Sequence, residues 1–334
     1  MARSIVILHP GGLGDLLLAV PAIRGLRKAF PGRQVLLCGQ ADAAKFLNDC
    51  GLVDRWLSVQ TTACTALFAG AASDDPWLGD WLRRCDVAVA WARDDAGTVA
   101  AALRASGAVA AIAQSPFDST LESAHQSDRF VEIVGGQDGQ VSVATLSTSE
   151  AFRAEAEVCL AAYGLPRERS LAMIHPGSGS PHKCVKPEII ASVIEGLQAH
   201  GLEPLLLEGP ADYGMVERLL VQLPRRPILL RALPLRVLAG MLSKVELFVG
   251  HDSGVTHLSA LVGTPTVAMF GPTDPARWAP RGSAVTVLQG KPCECASWDA
   301  VKTCGEKPCL DLSPAVIIDA CLRTRAVALN PRIC

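Results

Sequence analysis

The chain has 334 residues, of which 49% are hydrophobic and 19% charged. That balance excludes a disordered protein and predicts two domains, each large enough to bury its own core. A formal charge of −2 gives no global reason to bind nucleic acid, which calls for a basic surface. The apolar run Ser4–Leu8 that precedes His9-Pro10-Gly11-Gly12 is too short for a signal core or a membrane span, so a cytoplasmic protein is expected. The 12 cysteines are dispersed over a long chain and are expected to be mostly reduced thiols.

In chain order, Ser4–Leu8 reads as a strand that ends at a glycine-rich turn. Residues 15–30 then have helical spacing, with Leu16, Val20, Ile23, Leu26 and Phe30 on one stripe, closed by Pro31-Gly32. Strand, helix and strand follow at Gln34–Cys38, Ala43–Asn48 and Val53–Val59, and Asp86–Trp91 is a further buried strand. This alternation predicts a parallel sheet with crossover helices. The polar stretch Gln137–Glu150 marks a domain boundary, and a helix over 149–163 opens the second half.

There the alternation restarts. Strands are predicted at 170–174, 204–207, 228–230, 246–249 and 266–270, with helices over 187–200, 235–242 and from Gly254 to Val262. A last helix is predicted over 313–328. The resulting division is 1–150 for a first domain and 151–312 for a second, with 313–334 a terminal helix that could cross back toward the first. The two halves begin alike, SIVILHPGGLGD and SLAMIHPGSGSP, each placing His-Pro-Gly after a hydrophobic strand.

Glycine-rich turns at strand ends let a ligand approach the backbone, and the helix that follows offers free N–H groups to phosphate. Gly11, Gly12 and Gly14 meet that description, and Asp15 adds a carboxylate that can cap the helix and also accept a proton from an attacking hydroxyl. In the second turn, Ser178, Gly179, Ser180 and Lys183 suit a diphosphate. Glu208 ends a strand, where it could bind ribose hydroxyls. In the third turn Asp252, Ser253 and Gly254 start a helix, with His257 on a face that looks back at them. Arg24, Arg27 and Lys28 share a helical face and could meet an anionic acceptor or simply be solvated. Cys293, Cys295, Cys304 and Cys309 form C-x-C-x8-C-x4-C; a structural zinc site is conceivable but the paired spacing usual for zinc is missing, and reduced thiols or an adventitious disulfide are expected instead.

Taken in order, HPGGLGD, HPGSGSPHK, HDSGVTHLSALVGTPTVAMFGPTDP and the cysteine-containing tail resemble glycosyltransferase family 9, the lipopolysaccharide heptosyltransferases, over nearly the whole chain. The resemblance implies a GT-B fold: α/β, with two Rossmann-like domains whose parallel sheets face a central cleft. It implies no cofactor and no catalytic metal, with inversion at the anomeric carbon. The sugar, typically a heptose from ADP-heptose, passes to a lipid-linked anionic glycan, the lipopolysaccharide inner core, at the inner face of the membrane.

By the same resemblance Asp15 is the catalytic base, Lys183 the phosphate-binding lysine and Glu208 the ribose glutamate. Asp252, Ser253, Gly254 and His257 match the donor-binding pattern, and Leu233 falls where the nucleobase is contacted. The chain departs from the family in having Cys184-Val185 where a tryptophan commonly follows the lysine. Alternatives are a family-9-like transferase for another nucleotide sugar and cell-surface glycan, or a non-catalytic nucleotide-sugar-binding protein. A dinucleotide oxidoreductase is disfavoured by the missing G-x-G-x-x-G.

Overall fold

The computed structural model describes residues 2–136, 145–165 and 169–329. The chain divides into two compact units, residues 1–144 and 145–334. Most of the polar stretch taken as the boundary, residues 137–144, lies outside the described residues, as do 330–334 of the terminal segment. The second unit begins ahead of the expected residue 151 because Leu146 is buried and its N–H donates to the carbonyl of Leu261 at 2.6 Å.

The first unit holds a five-stranded parallel sheet made of β1 (Ser4–Leu8), β2 (Gln34–Gly39), β3 (Arg55–Ser58), β4 (Cys85–Ala90) and β5 (Ala110–Ala113), in the order β3-β2-β1-β4-β5. The second holds six parallel strands: β6 (Leu171–His175), β7 (Glu203–Glu208), β8 (Ile228–Arg231), β9 (Leu247–His251), β10 (Thr266–Phe270) and β11 (Val285–Gln289). Their order is β11-β10-β9-β6-β7-β8. Both sheets therefore start in the middle, build outward to one side, and then reverse, which is the order of doubly wound nucleotide-binding sheets. The expected α/β class with two Rossmann-like parallel sheets is what the chain forms.

The sequence explains why these strands are central. β1, β6, β9 and β10 are buried at every position, as near-continuous apolar runs must be when helices cover both faces of a parallel sheet. One face of the first sheet packs Val6, Leu8, Leu36, Ala88 and Ala90 against Cys64, Leu67, Leu78, Trp81 and Leu103 of the crossover helices. In the second sheet, Ile174, Leu206, Val249 and Met269 pack with Ile190, Val193 and Leu197, and with Ile317 and Cys321 of the terminal helix Pro314–Leu329. That helix packs on helix Pro187–Ala199 and on β9, β10 and β11, and so is part of the second unit.

The helix expected over 15–30 is two helices, Leu13–Leu18 and Val20–Ala29, meeting at Ala19. Pro21 accounts for the break, since it has no N–H for the Leu17 carbonyl and its ring crowds that carbonyl. Strands β5 and β11 escaped the sequence reading because each is a short edge strand only partly buried.

Helices Glu150–Ala162 and Leu235–Leu242 make the closest helix pair, and Gly240 is what allows it. A β-carbon there would lie 2.2 Å from the Phe152 carbonyl oxygen and 3.0 Å from Cβ of Ala156. Gly240→Ala is expected to destabilise the second unit by about 1–3 kcal/mol. Gly305→Ala, which meets open space, should leave the thermal midpoint unchanged. Equal melting temperatures for the two variants would refute this account of the helix contact.

Candidate functional site

At the first sheet's C-terminal edge, the order reverses between β1 and β4. Trp91 donates its N–H to the Leu8 carbonyl at 2.9 Å, which sets the turn after β4 beside the turn after β1. Gly12 caps helix Leu13–Leu18, and Asp15, half-buried in its first turn, accepts from the Gly12 N–H through Oδ2 at 3.2 Å. Capping and partial exposure coexist at this carboxylate. Of the turn's glycines, Gly11 is the one required by space: a β-carbon there would sit 2.7 Å from His9 Cε1 and 2.8 Å from Asp15 Oδ2. Gly12 has nothing within 4 Å. Gly14 lies within the helix itself.

Beneath this turn His9 is buried edge-on between Trp91 and Phe130, with ring centroids at 5.7 and 5.3 Å. Among the described residues, neither ring nitrogen of His9 nor Trp91 Nε1 has a hydrogen-bond partner. Burial pushes the His9 pKa down to about 4, against a smaller opposing effect of the Asp15 and Trp91 backbone.

The basic face of the following helix goes elsewhere. Arg27 donates to Asp54 Oδ2 at 2.9 Å and to the Leu52 carbonyl at 3.3 Å, while Asp54 also accepts from the Val35 N–H. These partners precede β3 and begin β2, at the sheet edge opposite Asp15. Arg27 is thus a structural ion pair rather than an acceptor contact, because its guanidinium holds the loop into β3. Arg24, one turn before it, is half-buried, and Lys28, the next residue, is exposed.

In the second unit the order reverses between β6 and β9, and the two predicted donor turns meet there. Ser178 Oγ donates to the Asp252 carbonyl at 2.6 Å, Lys183 Nζ meets Asp252 Oδ2 at 2.6 Å, and Thr273 Oγ1 donates to the same oxygen at 2.8 Å. Ser180 caps the short turn Pro181–Lys183 by accepting from the His182 N–H, and Gly179 faces open space. Ser253 caps helix Gly254–Val262, in whose first turn His257 is buried. Glu208 Oε1 accepts from Arg231 at 3.2 Å, and its Oε2 is buried without a partner. Leu233 is half-buried just before helix Leu235–Leu242, next to Ala232, whose φ of 48° puts a non-glycine residue in the left-handed region.

Sequence reasoning missed four residues here. His175, the last residue of β6, pairs through Nε2 with Asp212 Oδ2 at 2.8 Å, and Asp212 also accepts from the Gly209 N–H. Burial alone would raise the Asp212 pKa, but the hydrogen bond and charge of His175 hold it below the usual carboxylate range. An aspartate three residues past a strand-ending Gly-Pro was a signal that could have been read. Thr273, in the turn after β10, is equally local. Trp298 was not legible: its ring lies 5.9 Å from Lys183 Nζ, so the indole absent beside Lys183 in sequence arrives from 115 residues downstream.

The loop bearing Trp298 also supplies Lys307, whose Nζ donates to His182 Nδ1 at 2.9 Å. Its cysteines 293, 295, 304 and 309 are free thiols. Hydrogen bonding to Cys293 and burial push Cys295 up to about 11. Among the described residues, no group of three or more His, Cys, Asp or Glu has a geometry that would hold a metal ion, and no helix is long and apolar enough to cross a membrane.

Residues 113–309, more than half of the chain, match the family described as glycosyltransferase family 9 (heptosyltransferase). The chain belongs to glycosyltransferase family 9. It is 30% identical over 116 residues to lipopolysaccharide heptosyltransferase 3 of Escherichia coli, a stretch covering 34% of each chain. The chain thus matches about a third of that relative's length. A family 9 glycosyltransferase of Veillonella parvula superposes with a TM-score of 0.80 at 20% identity, covering 97% of both chains. The ADP-heptose heptosyltransferase II of E. coli gives 0.76 at 18% identity, covering 98% of this chain and 99% of that one. These two show the shared fold.

The buried His9 has a consequence for stability. With its folded pKa near 4 against about 6.5 unfolded, its contribution is complete above pH 6.5 and is lost as pH falls from there toward 4. In that window the unfolded chain binds a proton the folded one does not. Protection of β1 and β4 in amide hydrogen exchange should fall over this window by an amount on the order of 3 kcal/mol. His9→Leu should flatten that fall. A variant with an unaltered pH dependence would show that His9 is not its source.

Proposed function

We propose that this family 9 protein is an inverting, metal-independent glycosyltransferase that moves a heptose from ADP-heptose onto the lipopolysaccharide inner core. The observation that carries the reading is the direct contact among the donor residues: three turns, after β6, β9 and β10, converge on one carboxylate, Asp252, which holds the Lys183 ammonium at 2.6 Å. A fixed cation beside two serine-bearing turns and a helix N-terminus is what a diphosphate leaving group requires. The similarity to a lipopolysaccharide heptosyltransferase, and the fold shared with an ADP-heptose heptosyltransferase, support the choice of donor.

In the displacement, the acceptor hydroxyl loses its proton to Asp15 as its oxygen bonds the anomeric carbon from the face opposite the diphosphate. The bond from that carbon to the diphosphate oxygen breaks, and the electron pair leaves on ADP, whose charge Lys183 and the N–H groups around Gly254 stabilise. No covalent enzyme intermediate is needed, so the configuration inverts. The acceptor is a lipid-linked anionic glycan at a membrane surface, and Glu208 and Leu233 lie on the nucleoside side of the donor.

Asp15→Asn should lower kcat by about two to four orders of magnitude and leave ADP affinity, measured calorimetrically, within twofold. Gly11→Ala should do nearly the same, because the new methyl would displace the Asp15 carboxylate. Full turnover of ADP-heptose by the Asn variant would remove Asp15 from the role of base. Lys183→Ala is expected instead to weaken ADP binding at least tenfold, and unchanged binding would overturn the donor-site reading.

A further inference from the structure

The turns at the C-terminal edge of the second sheet form a row along which a nucleotide sugar would lie. Glu208 ends β7 and Leu233 follows β8, on the nucleoside side, while Lys183 and Asp252 follow β6 and β9 at the reversal of strand order. Beyond them come the turn after β10, which brings Thr273 to Asp252, and the long loop after β11. With the nucleoside at one end of this row and the diphosphate in its middle, the sugar would fall toward β10 and β11. Trp298 arrives from that side.

The loop that carries Trp298 is held at both ends. Residues 291–307 leave β11 and return beside it: the Gly290 and Lys291 N–H groups donate to the Cys309 and Pro308 carbonyls at 3.0 and 3.1 Å, and Cys309, Leu310 and Leu312 are buried in the core of the second unit. A β-carbon on Gly290 would lie 2.3 Å from the Pro308 carbonyl oxygen, so the two arms of the loop are in direct contact. Farther out, Ser297 caps the short helix Trp298–Thr303 by accepting from the Ala300 N–H at 3.2 Å, Val301 is buried, and Lys307 donates to His182 at 2.9 Å. Long surface loops closed at the base and packed along their length are commonly binding elements.

Trp298 opens that helix, and the Lys183 ammonium lies over its ring, 5.9 Å from the centroid. The same ammonium is fixed on Asp252 at 2.6 Å. The cation occupies only part of the indole, for Trp298 is still 40% exposed while Val301 of the same helix is buried. An indole is a large, stiff apolar surface with one polar edge, which suits the C–H face of a sugar ring bordered by hydroxyls. The anomeric carbon is one oxygen away from the phosphate that Lys183 would hold, so the sugar ring comes within reach of the indole.

We propose that Trp298 is a specificity-determining residue for the donor, its exposed indole surface packing on the transferred sugar of the nucleotide sugar. The inference rests on the donor-site reading, since the place of the sugar follows from the place of the diphosphate. The contact belongs to the donor and not to the product. Once the sugar has moved to the acceptor, ADP keeps Lys183 and loses the indole, so the site holds the donor more tightly than the product it must release.

Calorimetric titration of the full chain with ADP and with ADP-heptose, in the absence of acceptor, tests this. The wild type should bind ADP-heptose about five- to tenfold more tightly than ADP. Trp298→Ala should bring the two affinities within about twofold of each other by weakening ADP-heptose alone, and Trp298→Phe, which keeps a ring, should retain most of the preference. Equal loss of affinity for both ligands in Trp298→Ala would make the indole a prop for Lys183 and overturn the sugar contact. A wild type without the preference, or an Ala variant that retains it, overturns it as well.

Should Trp298→Ala fold poorly, Trp298→Phe carries the test through fluorescence. Tryptophan emission of the wild type should change more with saturating ADP-heptose than with saturating ADP, and that excess should vanish in Trp298→Phe; an excess that persists overturns the proposal. Failure of the wild type to bind either ligand would defeat the donor-site reading and the inference together. Binding of both with the wild-type ratio in Trp298→Ala defeats the inference alone.

Discussion

Everything functional in this chain follows from the reversal of strand order in each sheet. Where β1 is followed outward by β2 on one side and β4 on the other, and β6 by β7 and β9, the chain connections leave in opposite directions from neighbouring strands. The turns at those two strand ends are then the ones with no crossover helix between them, so polar groups can accumulate there without interrupting a packed core. The hydrophobic runs of β1 and β6 make this possible, because only strands buried on both faces can occupy the middle of the sheet.

The C-terminal edge of the second sheet raises an electrostatic question, because the proposed diphosphate site contains two buried carboxylates. Each is matched. Asp252 holds Lys183 and receives Thr273, and Asp212 holds His175 and receives Gly209 N–H. An unmatched carboxylate in such a place would repel the ligand and would be strongly disfavoured by desolvation. Paired as they are, the acids fix where the cations sit. Lys183, on a flexible stem, would otherwise sample many positions. The cationic side of the site is therefore ordered before any anion arrives, which is the condition for electrostatic stabilisation without reorganisation.

Much of this was legible in the sequence for a physical reason: central strands and their turns are local features. The runs SIVIL and LAMIH, the glycine-rich turns and the Asp252–His257 segment are each contained within about a dozen residues, and the structure puts them at the strand ends where they were expected. What the sequence did not disclose were contacts closed over distance. Trp298 reaches Lys183 across more than a hundred residues, and Asp212 reaches His175 across 37. Arg27 was misread for the complementary reason. Helical spacing identified which side chains share a face, but not that the face of Arg27 would find Asp54, which lies beyond the next strand and helix.

The two His-Pro-Gly turns make the same point within one motif. His9 and His175 each follow a central strand at the point where its sheet reverses, and both are buried. His9 is packed between Trp91 and Phe130, and burial pushes its pKa down to about 4. His175 has Asp212 on Nε2 and the Ser253 hydroxyl on Nδ1. A tripeptide repeated at equivalent positions thus serves opposite ends. On the side of Asp15 the buried ring adds no positive charge at neutral pH. On the side of Lys183 the ring instead links Asp212, in the turn after β7, to the Ser253 cap of helix Gly254–Val262. The difference lies in the residues that follow β4 and β7, not in the motif.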